Sequence, residues 1–376
     1  MSDPQARLAG METSTPGRLL RLALWMIRGT SSRSIRRLLD HFPTFDAAAR
    51  IDRADLAARM ELSPAVARRL HEPPGELLDW AEGVVADLLA RGATFQLRGD
   101  PGAADFGRLA DPPEALFLRG ELGGAGRIGA DGQPMAVAVV GSRKAHPSAL
   151  RLARRVGFRL ARAGYSVVSG GAFGVDAAAH RGALDAGGHT VAVLGSGVLL
   201  PLPRQNRRLF GEILEGGGAL ASELPPWENA RPEFFPRRNR LIAGLARAVV
   251  VVRASQGSGS LHTAAAAKAI GRPIFVFADE DASNAGARIL LKEGATAVGD
   301  EEELLAALRG EKPMGDDEGG GGESERILRE LEGPPASVAE LAARLSLPHE
   351  RVAVLLARLC ARGRVRFRGP GTFART

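Results

Sequence analysis

The chain has 376 residues, of which 45% are hydrophobic and 25% are charged, proportions that are typical of soluble globular proteins. They argue against a wholly disordered chain, a collagen or a coiled coil, and the length predicts two or three domains. Lysine and arginine number 50 against 43 acidic residues, so the formal net charge is +7, and nearly all of the cations are arginines. This balance is as consistent with a nucleic-acid partner as with the composition of a GC-rich genome.

Cysteine usage and hydropathy indicate a reducing compartment. Cys360 is the single cysteine, so it cannot form an internal disulfide or supply a structural zinc site by itself. The segment from Arg18 to Arg28 carries arginines at helical spacing, which favours an amphipathic helix over a signal peptide. Because no apolar run of about 18 residues occurs, we expect a cytoplasmic protein, and the sequence implies no metal and no cofactor.

Composition divides the chain into five segments. A polar leader (1–17) is expected to be disordered, and residues 18–95 have the pattern of a small helical domain. Residues 96–309 form the predicted central domain, which begins with an irregular connector containing a short strand near residues 115–118. Residues 310–324 are rich in glycine and acidic residues, which predicts a flexible linker, and residues 325–376 follow as a separate small domain.

The central domain alternates short apolar runs with helix-length amphipathic segments. Near-continuous apolar strands separated by helices are typical of a parallel sheet that is covered on both faces. The pattern therefore predicts an α/β fold with a Rossmann-like doubly wound sheet. The predicted strands cover residues 135–140, 165–168, 190–194, 219–221, 248–252 and 273–277.

The C-terminal segment has the layout of a winged helix. Its pattern predicts helices over residues 324–331, 337–344 and 348–362, followed by a hairpin of residues 365–368 and 372–375. Ten arginines face six glutamates from Glu323 onward, a net charge of +4. This charge is consistent with nucleic-acid binding, and a module that contacts protein or regulates a dimer is an alternative.

Four segments are predicted to gather at the carboxyl edge of this sheet, where doubly wound folds bind their ligands. Gly141-Ser142-Arg143-Lys144 presents a turn with two cations, and Ser169-Gly170-Gly171 with Phe173 has the form of an anion-binding loop. Ser258-Gly259-Ser260 precedes a helix and leaves amides for an anion, although helix capping alone would also explain these serines. A tight turn with a solvated cation is likewise an alternative for the first segment.

The fourth segment combines aromatic and cationic residues around Pro236. Phe234 and Phe235 precede Arg237-Arg238-Asn239-Arg240. Arginines for phosphates and aromatic rings for base stacking are the features that single-stranded nucleic acid requires. A helix start with its arginines paired to surface acids and its phenylalanines in the core is the alternative.

Other cofactor classes lack their required residues. The end of the second strand carries Val168-Ser169-Gly170 instead of the acidic residue that dinucleotide binding requires, and no P-loop sequence occurs. No pair of histidines has metal-ligand spacing. Asp176 and His180 lie four residues apart on one predicted helix, and such a pair more often stabilises a helix than forms a catalytic dyad.

Taken together, these motifs resemble the DNA-processing protein A (DprA/Smf) family. The resemblance rests on residues 139–143, 169–180, 192–197, 235–244 and 258–264, which follow the family's order and spacing. Residues 111–120 are also similar to the stretch that precedes the family's Rossmann domain. The helical front, similar to SAM or helix-hairpin-helix modules, and the winged-helix tail match the family's flanking modules in layout.

The resemblance implies a non-enzymatic protein that binds single-stranded DNA, protects incoming DNA and helps to load a RecA-type recombinase during natural transformation or recombination. It also implies a homodimer formed through the Rossmann domain, with no membrane association. The DNA-binding residues that it implies, together with the loops above, are Gly141, Ser142, Arg143, Lys144, Ser169, Gly170, Gly171, Phe173, Arg204, Asn206, Arg237, Arg238, Asn239, Arg240, Ser258, Gly259 and Ser260.

Several positions depart from the family pattern, which suggests a diverged member with altered pocket chemistry. Phe173 stands where the family usually has a basic residue, and it can stack on a base but cannot pair with phosphate. Leu199 and Leu202 replace an acidic and an aromatic residue, Arg253 replaces a glutamate, and Ala278-Asp279 replaces a Pro-Gly pair.

An enzyme of another class is the alternative. Rossmann-type enzymes that hydrolyse nucleoside monophosphates also bind phosphate with glycine-rich loops. They are recognised by a Pro-Gly-Gly-x-Gly-Thr segment and a catalytic glutamate, and residues 255–260, Ser-Gln-Gly-Ser-Gly-Ser, lack the Pro-Gly-Gly.

Overall fold

In the computed structural model of the protein, residues 16–27, 29–42, 45–48, 51–69, 77–100, 103–255, 257–277, 284–311, 322–361, 363–369 and 371–376 are described. They form two compact units. The first contains the described residues of Met1–Gly120 together with Ser196–Leu200 and Ala221–Asn229. The second contains those of Glu121–Gly195, Pro201–Leu220 and Ala230–Thr376.

The first unit begins with short helices around an apolar core. Leu22, Leu24 and Leu38 are fully buried in this core. Ser31 and Asp52 cap two of the helices by accepting hydrogen bonds from backbone amides, which stabilises the helix starts. The helices are α1 (Pro16–Met26), α2 (Ser32–His41), α3 (Phe45–Ala48), α4 (Arg53–Arg59), α5 (Pro64–Arg69) and α6 (Leu77–Ala90).

An antiparallel strand pair completes the first unit. Strand β1 (Ala93–Leu97) pairs with β2 (Ala115–Gly120), and β1 buries every second residue in the core of this unit. The domain boundary that the sequence suggests, between residues 95 and 96, therefore falls inside β1. Because the partner strand β2 also lies in this unit, the helices and the strand pair form one body.

The second unit contains a large, mostly parallel sheet, which confirms the predicted α/β class. Strands β4, β3, β7, β8 and β9 follow β5 in the order β5-β4-β3-β7-β8-β9, and their pairs are parallel. Each predicted apolar run overlaps a strand, whereas the sequence pattern does not predict β9. The strands are β3 (Ala136–Gly141), β4 (Ser166–Ser169), β5 (Thr190–Val193), β6 (Ala219–Ser222), which spans the boundary between the units, β7 (Ala248–Arg253), β8 (Ile274–Phe277) and β9 (Thr296–Val298).

Helices cover both faces of this sheet. On one face Val137 and Val139 belong to a core with Val156 of the helix that follows β3, and on the other Leu194 packs with Phe210. A strand that is buried on both sides explains why β3 is apolar at every position. The helices are α7 (Pro147–Arg162), α8 (Val175–Asp185), α9 (Arg207–Glu215), α10 (Phe234–Leu245), α11 (Gly259–Ala269), α12 (Ala285–Lys292) and α13 (Glu301–Leu308).

The C-terminal part of the second unit, here called the C-terminal module, has its own apolar core. Ser337 and Glu340 form a capping box at the start of its second helix. Residues 323 and 324, predicted as the end of the linker, belong to its first helix, and residues 312–321 of the linker lie outside the described residues. Its elements are α14 (Glu323–Glu330), β10 (Ala336–Ser337), α15 (Val338–Leu345), α16 (His349–Ala361), β11 (Val365–Gly369) and β12 (Thr372–Arg375), with strand order β10-β12-β11.

The helices also bear on membrane insertion. Among those described, none combines the length and the apolar character that crossing a bilayer requires.

Candidate nucleic-acid interface

A cleft of about 660 Å³ lies at the carboxyl ends of β3 and β7. Such an edge is the expected ligand position in a doubly wound sheet. Three of the four sequence segments line it with predicted residues, whereas the second contributes Ala172 but none of Ser169, Gly170, Gly171 and Phe173. The predicted residues that line it are Gly141, Ser142, Arg143, Lys144, Arg238, Asn239, Ser258, Gly259 and Ser260. Phe235, predicted to stack on bases, also lines the cleft, and the lining residues that the sequence did not assign to a ligand are Val140, Ala172, Asp176, Pro232, Pro236, Ile242, Ser255, His262 and Thr263.

The loop after β3 presents two exposed cations to this cleft. The amide of Ser142 donates to the carbonyl of Arg253 at 2.8 Å, which continues the pairing of β3 with β7 beyond the strand. The Ser142 hydroxyl accepts from the amide of Lys144 at 3.1 Å. The Arg143 guanidinium lies 5.4 Å from the centre of the Phe235 ring, a cation–π contact that orients the cation. Arg143 and Lys144 are therefore exposed charges on a fixed turn.

The loop after β4 is fastened to the loop after β3. The Ser169 hydroxyl donates to the carbonyl of Val139 at 2.6 Å, and the amide of Val175 donates to the carbonyl of Ser142 at 3.2 Å. Gly174, which directly precedes Val175, has a φ of +78°, a conformation that L-amino acids with side chains rarely adopt. These contacts hold the two loops side by side at the sheet edge.

Arg238 is buried beneath the second loop instead of facing solvent. Its side chain is 5% exposed and donates to the carbonyl of Gly170 at 2.7 Å and to the carbonyl of Val193. A Cβ atom placed on Gly170 would lie 2.6 Å from Nη2 of Arg238 and 2.7 Å from Oδ2 of Asp176, so both side chains flank this glycine. The arrangement fixes the loop through Arg238 and Asp176.

The pKa shifts of this buried pair follow from burial and mutual attraction. Burial lowers the pKa of Arg238 to about 10, and the nearby Asp176 opposes this shift. Burial raises the pKa of Asp176, while Arg238 and the amide of Ala172 oppose the rise. Each charge thus reduces the cost of burying the other.

The remaining residues of the arginine-rich segment occupy different environments. Asn239 is buried and its side-chain amide donates to the carbonyl of Gly259 at 3.1 Å, which ties α10 to the start of α11. Arg237 is exposed and Arg240 is half-buried. Neither is among the described residues that line the cleft. The segment therefore places Arg238 and Asn239 at the cleft, and Arg237 and Arg240 outside its lining.

The start of α11 forms another wall of the cleft. The hydroxyl of Ser258 accepts from the amide of Ser260 at 3.4 Å and lies 2.9 Å from its hydroxyl, so Ser258 caps the helix. Capping therefore occurs, and the helix N-terminus also faces the cleft, where its dipole favours an anion.

A second pocket of about 440 Å³ shares residues with the cleft. Phe173, 40% exposed, lines this pocket with Phe235 and Arg204, and the shared residues include Arg143. Pro203 and Leu202 complete its wall. The result is an aromatic and apolar pocket beside exposed guanidinium groups.

The other predicted and divergent positions support the loops or lie elsewhere. The side-chain amide of Asn206 donates to the carbonyl of Gly171 at 2.9 Å, and Asn206 is buried. Leu199 packs against the core of the first unit, so it does not belong to this interface. The backbone carbonyl of Arg253 accepts the hydrogen bond from the amide of Ser142. Residues 278 and 279 lie outside the described residues.

Asp176 and His180 have different partners, so they do not form a dyad. His180 is fully buried, and its Nδ1 atom lies 2.7 Å from the hydroxyl of Thr190, which donates to the carbonyl of Val167. Burial, with a smaller contribution from the Arg238 charge, lowers the pKa of His180 to about 3. Within the described ranges, no group of acidic, histidine or cysteine side chains is placed to hold a metal ion.

We expect a His180→Gln variant to lose part of the acid sensitivity of folding. The native imidazole stays neutral, whereas the unfolded chain binds a proton below pH 6.5, so His180 lowers the free energy of unfolding as the pH falls from 6.5 towards 3. The contribution is at most about 1.4 kcal/mol per pH unit. Urea unfolding between pH 7 and pH 5 measures it, with the exposed His262→Gln as control. Equal pH slopes for the wild type and His180→Gln would contradict the assignment.

Comparison with known proteins identifies relatives of this chain. The family model described as DNA recombination-mediator protein A matches residues 103–309, and a model for a protein of unknown function (DUF742) matches residues 289–376. Protein Smf of Escherichia coli is 40% identical over 53% of this chain, which corresponds to 52% of that protein, so the match spans about half of its length. DprA of Streptococcus pneumoniae is 35% identical over 57% of this chain and 73% of that protein.

Solved structures of the same family are also similar. The crystal structure of DprA from Streptococcus pneumoniae aligns with a TM-score of 0.61 and 28% identity, covering 78% of this chain and 98% of that one. A DprA structure from Helicobacter pylori, described as revealing a single-stranded DNA binding mode, aligns with a TM-score of 0.51 and 28% identity, covering 58% and 96%. Since the family match extends over more than half of its residues, this chain belongs to the DNA recombination-mediator protein A family.

Proposed function

We propose that this protein binds single-stranded DNA along the cleft and the adjoining aromatic pocket. The observation that carries the proposal is the stacking of Arg143 on Phe235, which sets an exposed cation and an aromatic ring at the junction of the two cavities. Cations along a backbone path and rings for bases are the features that sequence-independent single-strand binders share. The Helicobacter pylori DprA structure, described as revealing a single-stranded DNA binding mode, supports the proposal.

Phosphates are proposed to lie in the cleft. Arg143 and Lys144 supply positive charge from one exposed turn. The N-terminus of α11, capped by Ser258, adds the positive end of the helix dipole. Gly170 and Gly171 lie beneath this surface, because both are buried and a Cβ atom on either would meet side chains of the protein. Their positions depend on buried supports, because Arg238 and Asn206 each donate to a carbonyl of this loop.

Bases are proposed to occupy the second pocket. Phe173 exposes 40% of its surface there beside Phe235, and stacking of a base on an aromatic ring contributes about 1–3 kcal/mol. A basic residue is usual at position 173 in the family, so this chain exchanges a phosphate contact for a stacking contact. Arg204 lines the same pocket and extends the cationic path. Arg237 and Arg240 line neither cavity, and we propose them as phosphate contacts outside both.

At the level of the whole protein, we propose a non-enzymatic role in the cytoplasm. The protein would shield incoming single strands during natural transformation or recombination and help to load a RecA-type recombinase, acting as a homodimer formed through the Rossmann-like domain. The names of the relatives, DNA processing protein and recombination mediator, support this role. We further propose that the helices of the first unit form a SAM-like or helix-hairpin-helix-like domain and that the C-terminal module is a winged helix.

Fluorescence anisotropy of a labelled oligothymidine tests the binding site. We expect Arg143→Ala to weaken binding about tenfold or more, since hydrogen bonds to charged groups contribute about 1.5–3 kcal/mol. The slope of log K against log salt should become less steep by about 0.7, because the variant neutralises one phosphate fewer. The control is Arg151→Ala, which removes an exposed arginine from α7 away from the cleft. If both variants bind like the wild type, the cleft is not the DNA site.

A further inference from the structure

The third helix of the C-terminal module, α16, is held against the Rossmann-like sheet. Arg358, 10% exposed, pairs with Glu303 of α13 and donates to the carbonyl of Ala297 in β9 at 3.2 Å. Val354 is also buried, and a Cβ atom on Gly299 would lie 2.7 Å from its Cγ2 atom. In helix-turn-helix proteins the corresponding helix enters the major groove. Here α16 is instead held by contacts with β9 and α13 of the same chain.

The hairpin presents a cationic surface that does not depend on α16. Two arginines of the helices of this module pair with acidic residues, since Arg344 lies near Glu330 and Arg351 near Glu323. Arg366 and Arg368 on β11 are exposed to solvent, and among the residues that the structure describes neither has an acidic partner. Strand β11 therefore carries two exposed cations at alternate positions, in addition to the exposed Arg326 and Arg329 of α14 and Arg364 before the strand.

These two arginines share a groove with hydroxyl groups. The groove has a volume of about 820 Å³, and Thr372 and Thr376 line it together with Arg375 and Glu332, which pair with each other. Charges on an edge strand also discourage pairing with other chains, and β11 is such a strand. Protection against strand pairing would require only that the two arginines are exposed. Their convergence with hydroxyl groups on one groove additionally creates a site for an extended anion.

We propose that this groove is a second phosphate-binding surface, which takes the backbone of a nucleic acid through Arg366 and Arg368 while α16 remains docked. Guanidinium and hydroxyl groups are the usual donors to phosphate oxygens. The inference rests on the proposal that the protein binds nucleic acid, but it uses residues separate from the cleft. The backbone belongs either to a continuing single strand or to an adjacent duplex.

The test uses the full chain with Arg366→Gln and Arg368→Gln together, since glutamine keeps most of the side-chain length. A matched double variant, Arg151→Gln with Arg162→Gln, removes the same charge from exposed positions on α7. Both are titrated against an oligothymidine and against a blunt duplex at several salt concentrations. Thermal unfolding of each variant verifies that the hairpin is folded.

We expect the hairpin variant, but not the matched α7 variant, to bind at least one of the two nucleic acids about tenfold more weakly. The salt slope should fall by about 1.4 for the single strand or about 1.8 for the duplex, according to which backbone is bound. Hairpin and matched variants that bind both nucleic acids alike would overturn the inference and leave the groove to an acidic protein partner. Arg143→Ala serves as a separate arm. If it alone weakens binding, the cleft proposal stands and this one fails; if the hairpin variant alone does so, the reverse holds.

Discussion

An Arg238→Met variant is expected to lose about 3–5 kcal/mol of the free energy of unfolding, because it removes one member of a buried charge pair. Asp176 would keep its buried carboxyl without the opposing guanidinium, and the carbonyls of Gly170 and Val193 would each lose a donor. Methionine keeps the aliphatic part of the side chain and carries no charge, so the loss of packing is small in comparison.

Urea unfolding at pH 7 measures this effect, and Arg237→Met is the matched control. Arg237 is the preceding residue on the same helix and is exposed, so the same chemical change should cost little there. The double variant Asp176→Asn with Arg238→Met should recover part of the loss, since the amide carries no buried charge. Equal stability of the Arg238→Met and Arg237→Met variants would show that the buried pair contributes nothing.

The Arg238→Met variant also distinguishes whether Arg238 supports the loop after β4 or contacts DNA directly. Arg238 lines the cleft, but its guanidinium is directed to two carbonyls of the protein. We therefore expect its removal to weaken single-strand binding through displacement of Gly170, with a smaller change in the salt slope than Arg143→Ala produces. A full reduction of the slope by about 0.7 would instead indicate that Arg238 contacts a phosphate.

The sheet could be predicted from the sequence because its strands are buried on both faces. Every residue from Ala136 to Val140 is apolar and at most 3% exposed, and such runs are distinct from the amphipathic helices between them. Strand β9 escapes prediction because Thr296–Val298 is short and its first residue is only half-buried. Strand β1 escapes it because Ala93–Leu97 alternates apolar and partly exposed residues at the end of a long helix.

The grouping of the site segments was predictable for a topological reason. Carboxyl ends of parallel strands meet at one edge, so loops that are far apart in sequence, such as those at Arg143 and Ser258, converge there. Orientation was not predictable, because burial of Arg238 depends on carbonyls from β5 and the loop after β4. The spacing of Asp176 and His180 drew attention to Asp176. Its charged partner, Arg238, lies on another helix, however, and no local sequence pattern indicates a contact between residues so far apart in the chain.

Gly174→Ala is expected to separate the two loops that form the cleft. The φ of +78° and ψ of −127° at Gly174 are costly for alanine, by about 1–3 kcal/mol. In addition, the new Cβ atom would lie 2.3 Å from the carbonyl oxygen of Ser142 and 2.8 Å from that of Arg143. Because this second contact cannot be relieved without moving the backbone, Arg143 should shift away from Phe235.

Gly164→Ala provides a control that isolates the backbone term. Gly164 has a φ of +85°, but a Cβ atom there meets nothing within 4 Å, so this variant carries conformational strain without a clash. We expect Gly174→Ala to lower the free energy of unfolding by about 3 kcal/mol or more and to weaken oligothymidine binding at least tenfold, whereas Gly164→Ala should show the strain of about 1–3 kcal/mol alone. Urea unfolding and anisotropy report the two effects separately. If the Gly174 and Gly164 variants bind DNA equally well, the spacing of the two loops does not control the cleft, and contacts from α11 and the aromatic pocket must hold the strand.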